Sequence, residues 1–207
     1  MIHIEKTPYP EFMDFVRQNN PQNWDALDGT VRINTRKYIL EKEQGNQCAY
    51  TELPLEYKNN NSHIEHLKRK DAAFFPELTF EWSNLFVSCI SSDFGGKYKD
   101  QAYLKGKTKV DNALILNPAL ENPADFFDLK NWGEITIKGD LQGIEKTKAE
   151  ETIKAFNLNH NSLIKERIRM MRAVQMYREG GITEKEDILG FLASEGFKSV
   201  IAFALEN

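Results

Sequence analysis

Apolar residues recur with helical spacing at both ends of the chain, and the regularity fails in the middle. Phe12, Phe15 and Val16 share one side of "PEFMDFVRQNN", which predicts a short helix stopped by the Asn-Asn-Pro that follows. A second helical stretch runs from an N-cap at Asn23 to a stop at Gly45, with Gly29 and Thr30 able to break it. Residues 46–62 are rich in turn residues, as in "LPLEYKNNNS", and predict short strands on either side of a turn. The apolar run that follows, "FFPELTFEWSNLFVSC", predicts a short helix around Trp82 to Cys89. Gly95-Gly96 marks a turn, and two prolines make "LILNPALENPADFFDL", residues 114–129, an irregular connection. "EITIKGD" alternates like a strand, paired with the segment before the Asn131-Trp132-Gly133 turn. From residue 143 onward the pattern is helical. The helix in "NSLIKERIRMMRAVQMYREGG" should be capped by Asn161 or Ser162, and Thr183 with Glu186 makes a capping-box pattern for the next.

These elements predict an α+β protein in one compact unit: helices over 1–45, a mixed core over 46–110, a connection with a strand over 111–142 and a helical region over 143–207. Repeats and low-complexity linkers are absent from the sequence.

Composition narrows the class. A 41% hydrophobic and 28% charged content suits a globular protein with a real core. The longest apolar runs, such as "SVIAFAL", are too short to cross a bilayer, so no membrane role is expected. The first residues lack a cationic-then-apolar signal, and two cysteines, Cys48 and Cys89, cannot make a disulfide scaffold; both point to the cytoplasm. A net charge of −4 argues against a wholly basic nucleic-acid binder, though not against local basic patches.

Candidate chemistry concentrates in "SHIEHLKRK", residues 62–70, which holds two of the four histidines. It reads either as a polar strand end entering a solvated basic loop or as a metal ligand, Glu65, beside a general base, His66. On a strand His63 and Glu65 face one way and His66 the other, so a working pair requires the strand to end or bulge near Glu65. Cys48 in "CAYT" and Cys89 in "CISS" each stand one partner short of a C-x-x-C knuckle, since Thr51 and Ser92 occupy the second positions. Neutral hydroxyls are poor zinc ligands. The cysteines are therefore expected as small core residues, close in space, without a structural zinc.

The order of half-knuckle, "HIEH", basic loop, "FPELTFEWSNL" and second half-knuckle resembles the HNH endonucleases of bacterial anti-phage systems. It is most similar to the nuclease subunit that partners an ATPase in Septu systems and in related retron systems. "LILNPALENPADFF" and "AFNLNHNSLIKERIRMM" carry the resemblance onward, so it covers roughly residues 35 to 180. It implies a ββα-metal (His-Me finger) HNH core embedded in a mostly helical domain. It also implies one Mg²⁺ or Mn²⁺ ion held by Glu65 and Asp93, His66 as the base that activates water, and Asn84 bracing the loop that carries the base. Lys97 matches a position that contacts phosphate. His63 is either a second polar group at the site or a hydrogen-bonded wall residue.

Between residues 63 and 109 eight basic residues face six acidic ones: Lys68, Arg69, Lys70, Lys97, Lys99, Lys105, Lys107 and Lys109 against Glu65, Asp71, Glu77, Glu81, Asp93 and Asp100. Lys68, Arg69, Lys70, Lys97 and Lys99 are the expected phosphate contacts. The aromatic cluster Phe74, Phe75, Phe80, Trp82 and Phe86 is expected in the core. Helix 162–178 should present Lys165, Arg169 and Arg172 on one outer face, and the final "FKSVIAFALEN" is either a core helix or a docking surface. The expected function is phosphodiester hydrolysis on DNA or RNA with an ATPase partner. The alternative is a catalytically degenerate HNH-fold subunit that binds nucleic acid or a partner, which the missing knuckle ligands motivate.

Overall fold

The computed structural model describes residues 1–58 and 61–207. Of the stretch 46–62, expected to form short strands about a turn, Asn59 and Asn60 lie outside the described residues, and the described part before β1 makes only an isolated bridge between Gln47 and Pro54. Helices dominate and two small antiparallel sheets complete a mixed α and β architecture.

Helix α1 spans Pro10–Asn19, opening with proline at its first turn and closing at Asn20 in the left-handed conformation. The long helix expected from Asn23 to Gly45 is divided instead. Asn23 caps only a 3-10 turn, Trp24–Ala26, and Asp28 accepts from the amides of Thr30 and Val31 to start α2, Gly29–Tyr38. A carboxylate ahead of Gly29 is the stronger cap and restarts the helix there. The chain continues as a π-type turn over Ile39–Glu43.

Strands β1, Ser62–His66, and β2, Leu85–Cys89, pair antiparallel with Ser62 opposite Cys89 and His66 opposite Leu85. The helix expected over Trp82–Cys89 is thus only a 3-10 turn at Trp82–Asn84 followed by a strand. "LFVSC" is buried along its whole length, and a strand covered on both faces shows no alternation that would separate it from a helix. The far edge of β2 is closed by Gln44, whose side chain accepts from the Val87 amide and donates to the Val87 carbonyl, both at 2.8 Å. The expected Gly95-Gly96 turn opens helix α3, Gly95–Tyr98, which runs on as a π-type turn over Lys99–Tyr103 and packs against β2.

Helix α4, Lys109–Ala113, precedes a second hairpin of β3, Phe127–Leu129, and β4, Ile135–Ile137, in the pairing expected for "EITIKGD". The tail holds α5, Gly143–Phe156, α6, Asn161–Glu179, α7, Lys185–Phe191, and α8, Lys198–Glu206. His160, not Asn161 or Ser162, caps α6, and Thr183 caps nothing because α7 begins after Glu184. The main core surrounds the β1–β2 hairpin and includes the buried Phe74, Trp82 and Phe86. A second core joins Met170 and Val174 of α6 to Ile188, Val200, Ile201 and Leu205, so the last segment is a core helix. The tail is docked tightly: the Phe197 amide donates to the Glu52 carbonyl at 2.8 Å. A β-carbon on Gly196 would stand 2.4 Å from that carbonyl oxygen, so only glycine fits. Among the described residues no helix is long and apolar enough to cross a membrane.

Candidate functional site

At the end of β1 lies an open cleft of about 340 Å³, lined by His63, Glu65, His66, Arg69, Lys70 and Asp100 among others. No bulge brings Glu65 and His66 together. β1 is an edge strand, and the cleft wraps its free edge so that residues from both strand faces reach it.

Glu65 is buried and charged. Lys99, fully buried on the π-type turn, places its Nζ 2.6 Å from Glu65 Oε1 and 3.0 Å from Asp100 Oδ1. The same ammonium donates to the carbonyls of His66 and Leu67 at 2.7 and 2.9 Å. Burial alone would raise the Glu65 carboxyl, but Lys99 and His63 outweigh it and hold it at about 2. Asp100 moves the other way, to about 6, because burial and the Glu65 charge exceed the help from Lys99 and Arg69. Gly96 makes this packing possible: a β-carbon there would stand 2.6 Å from Glu65 Oε2.

His66 turns to the opposite face. Its ring meets the Trp24 ring edge-on at 4.6 Å, and Nε2 lies 3.0 Å from the Thr79 carbonyl oxygen. Because that oxygen only accepts, Nε2 carries the proton and Nδ1 keeps its lone pair, with no hydrogen-bond partner among the described residues. Burial and the neighbouring Lys70 lower the ring to about 4, so at neutral pH it is uncharged and able to accept a proton.

The loop between the strands is held by two buried asparagines. Asn84 accepts from the Lys68 amide at 2.7 Å and donates to the carbonyls of Lys68 and Leu78, both at 3.0 Å. Asn112 of α4 accepts from the Arg69 amide and donates to the Leu67 carbonyl. Together they fix the chain on both sides of the turn out of β1.

The five cations expected to meet phosphate divide sharply. Lys99 is walled in. Lys68 donates to the carbonyls of Asn112, Ala113 and Ile115, tying down the end of α4, and burial followed by Lys99 lowers it to about 7. Arg69 pairs with Asp71 and lies over the Phe74 ring at 4.4 Å, yet lines the cleft. Lys70 is exposed at the cleft and Lys97 half-buried on α3; neither forms an ion pair among the described residues. Asp93 sits exposed before α3, accepts from the Ser92 hydroxyl at 3.2 Å and does not line the cleft. Asp100, not singled out from the sequence as a site residue, lines it instead.

Cys48 and Cys89 are free, buried and adjacent: the Cys89 amide donates to Cys48 Sγ at 3.5 Å, and Thr51 Oγ1 lies 3.8 Å from Cys89 Sγ. Ser92 faces solvent beside Asp93. Two thiols and a hydroxyl make a packed corner. Among the described residues no group of three or more His, Cys, Asp or Glu side chains converges to hold a metal. A divalent ion at the cleft would rest on the free oxygen of Glu65 with few other protein donors, which suits a hard cation completed by water and phosphate.

No family model matches the chain. It is similar to the Septu protein PtuB of Bacillus mycoides (strain KBAB4), with 24% identity over 159 residues, covering 68% of this chain and 52% of that protein. The chain therefore spans about half the length of the curated relative it matches. The likeness supports a link to Septu defence proteins.

Proposed function

We propose that the protein is a metal-dependent HNH endonuclease that hydrolyses phosphodiester bonds as the effector of an anti-phage system. The observation that carries this assignment is the neutral His66 ring, pinned through Nε2, with Nδ1 free at a cleft that also holds an ionised Glu65. The succession of β1, β2 and α3, with the cleft between the end of β1 and the turn beyond α3, supports a ββα-metal core, and the likeness to a Septu protein supports the defence role.

In the proposed mechanism His66 Nδ1 takes a proton from water, turning it into the nucleophile. Trp24 and the Thr79 carbonyl hold the ring so that the lone pair keeps its direction. Glu65 is the protein's anchor for a divalent ion, which when bound neutralises charge on the phosphate and the leaving oxygen. Lys99 keeps Glu65 ionised and immobile; it is a positioning residue. Lys70, Lys97 and Arg69 remain to meet the phosphate backbone of DNA or RNA. An ATPase subunit, the partner implied by the resemblance to Septu nucleases, would govern access.

One observation favours a second assignment, a binding subunit without catalysis: an ammonium already neutralises both carboxylates. The deciding experiment compares wild type with His66→Ala on DNA and RNA, in Mg²⁺ and Mn²⁺, with and without the neighbouring ATPase. Cleavage by wild type and loss of it in His66→Ala is expected. Equal cleavage by both would remove His66 from the mechanism, and none by either would favour the binding subunit.

A further inference from the structure

His63 and Glu65 stand two apart on β1, so their side chains leave the same strand face, and His63 Nε2 lies 3.4 Å from Glu65 Oε2. Two donors each about 2.1 Å from one ion must lie about 3.0 Å apart in octahedral and about 3.4 Å apart in tetrahedral coordination. At 3.4 Å the pair stands at the wider of these spacings, and closing by about 0.4 Å would bring it to the octahedral one that Mn²⁺ takes. Glu65 Oε1 is committed to Lys99, and Gly96 packs so closely that the carboxylate is held in place. Only Oε2 is left to bind, and the group it faces is an imidazole. His63 is held from one side only, since its Nδ1 has no partner among the described residues, and its side chain is 35% exposed, open to an incoming ion. The other candidates are placed elsewhere: His66 leaves the opposite face of the strand from Glu65, Asp100 is paired with Lys99, and Asp93 does not line the cleft.

We propose that His63 Nε2 and Glu65 Oε2 form the protein's half of a divalent-ion site, and that this nitrogen–oxygen pair selects Mn²⁺ over Mg²⁺. Imidazole suits transition ions, whereas Mg²⁺ prefers oxygen donors and retains its water. The remaining positions fall to water and phosphate, for which the cleft of about 340 Å³ has room. The proposal shares with the nuclease assignment the divalent ion and its Glu65 anchor, and adds to them His63 and the identity of the ion.

The test is Mn²⁺ binding to the whole chain, followed by electron paramagnetic resonance with pulsed detection of ¹⁴N coupling. Wild type is expected to bind one Mn²⁺ with an imidazole nitrogen signal that excess Mg²⁺ displaces poorly. His63→Ala should lose the nitrogen signal and bind at least about tenfold more weakly, while His66→Ala keeps the signal. Thermal melts of each variant check folding, and His63→Gln, which retains a polar contact to Glu65, should lose the nitrogen signal without loss of fold. A signal that survives in His63→Ala, a signal lost in His66→Ala, or no Mn²⁺ bound by wild type would each overturn the proposal. Mn²⁺ binding through His63 with no cleavage of any substrate would leave this site standing and sink the nuclease assignment. Undiminished Mg²⁺-supported cleavage by His63→Ala would do the reverse.

Discussion

The cleft at the end of β1 and the groove on the outer side of α6 make opposite use of space. The groove is larger, about 560 Å³, and is lined by Trp132, Ile168, Met171, Arg172 and Phe203 among others. Yet among the described residues it holds no buried ion pair: Arg178 donates to the carbonyls of Ala204 and Leu205, and Arg169, nearby on α6, makes solvent-exposed pairs with Glu166 and Glu195. The cleft is smaller and displaces three titratable groups, Glu65 to about 2, His66 to about 4 and Asp100 to about 6. The difference teaches that reactivity follows desolvated charge, not volume. Groups at the groove keep water around them. Those at the cleft have exchanged water for one another.

The contrast is broken most severely at Lys99. Lys99→Met strands Glu65 and Asp100 without their cation and leaves the His66 carbonyl without its donor, so urea denaturation should show a loss of about 3–5 kcal/mol. Arg172→Met, on the groove, should change stability by less than about 0.5 kcal/mol in the same measurement. Equal losses would erase the distinction. Next comes Asn84→Ala, which removes three hydrogen bonds from the loop and should cost about 2–4 kcal/mol. Limited proteolysis should then cut between residues 68 and 81 faster than in the wild type, while a loop as resistant as before would show that Asn112 suffices alone.

Gly96→Ala sharpens the comparison at smaller cost. The added methyl group meets the Glu65 carboxylate and its stem, which must shift against Lys99 to admit it. About 1–3 kcal/mol of stability should be lost, with cleavage falling more than tenfold because the carboxylate moves. Activity retained in a folded variant would mean that the position of Glu65 does not matter. Smallest is Lys70→Ala. Melting should stay within about 0.5 kcal/mol of wild type, while the slope of log affinity for nucleic acid against log salt should lessen by about 0.7–0.9. Lys68→Ala should instead act on stability, since its ammonium is spent on the end of α4.

Much of the fold was open to view in the sequence because its signals are local. Amphipathic spacing marks α5 and α6, alternation marks β4, and the turn at Asn131-Trp132-Gly133 sets its partner. β2 was missed because burial on both faces removes the alternation. α2 is hard to separate from its neighbours because Asn23 and Asp28, five positions apart, are both good caps along the chain. In the site, motif order singles out Glu65, His66 and Asn84, which the structure gathers around one turn, whereas it points to Asp93 and gives no sign of Asp100.

The sequence by itself determined which residues can accept a proton, ligate a cation or bridge two carbonyls, and where hydrophobic periodicity makes helices. Only the tertiary structure decided which cations are free. Lys68, Lys70 and Lys99 look alike in a sequence, yet one ties down a helix end, one faces solvent and one is sealed against two carboxylates. The reason is that solvation is not local. A charge takes its strength from everything folded over it, and the elements that cover Lys99 come from β1, the loop after it and the turn beyond α3 at once.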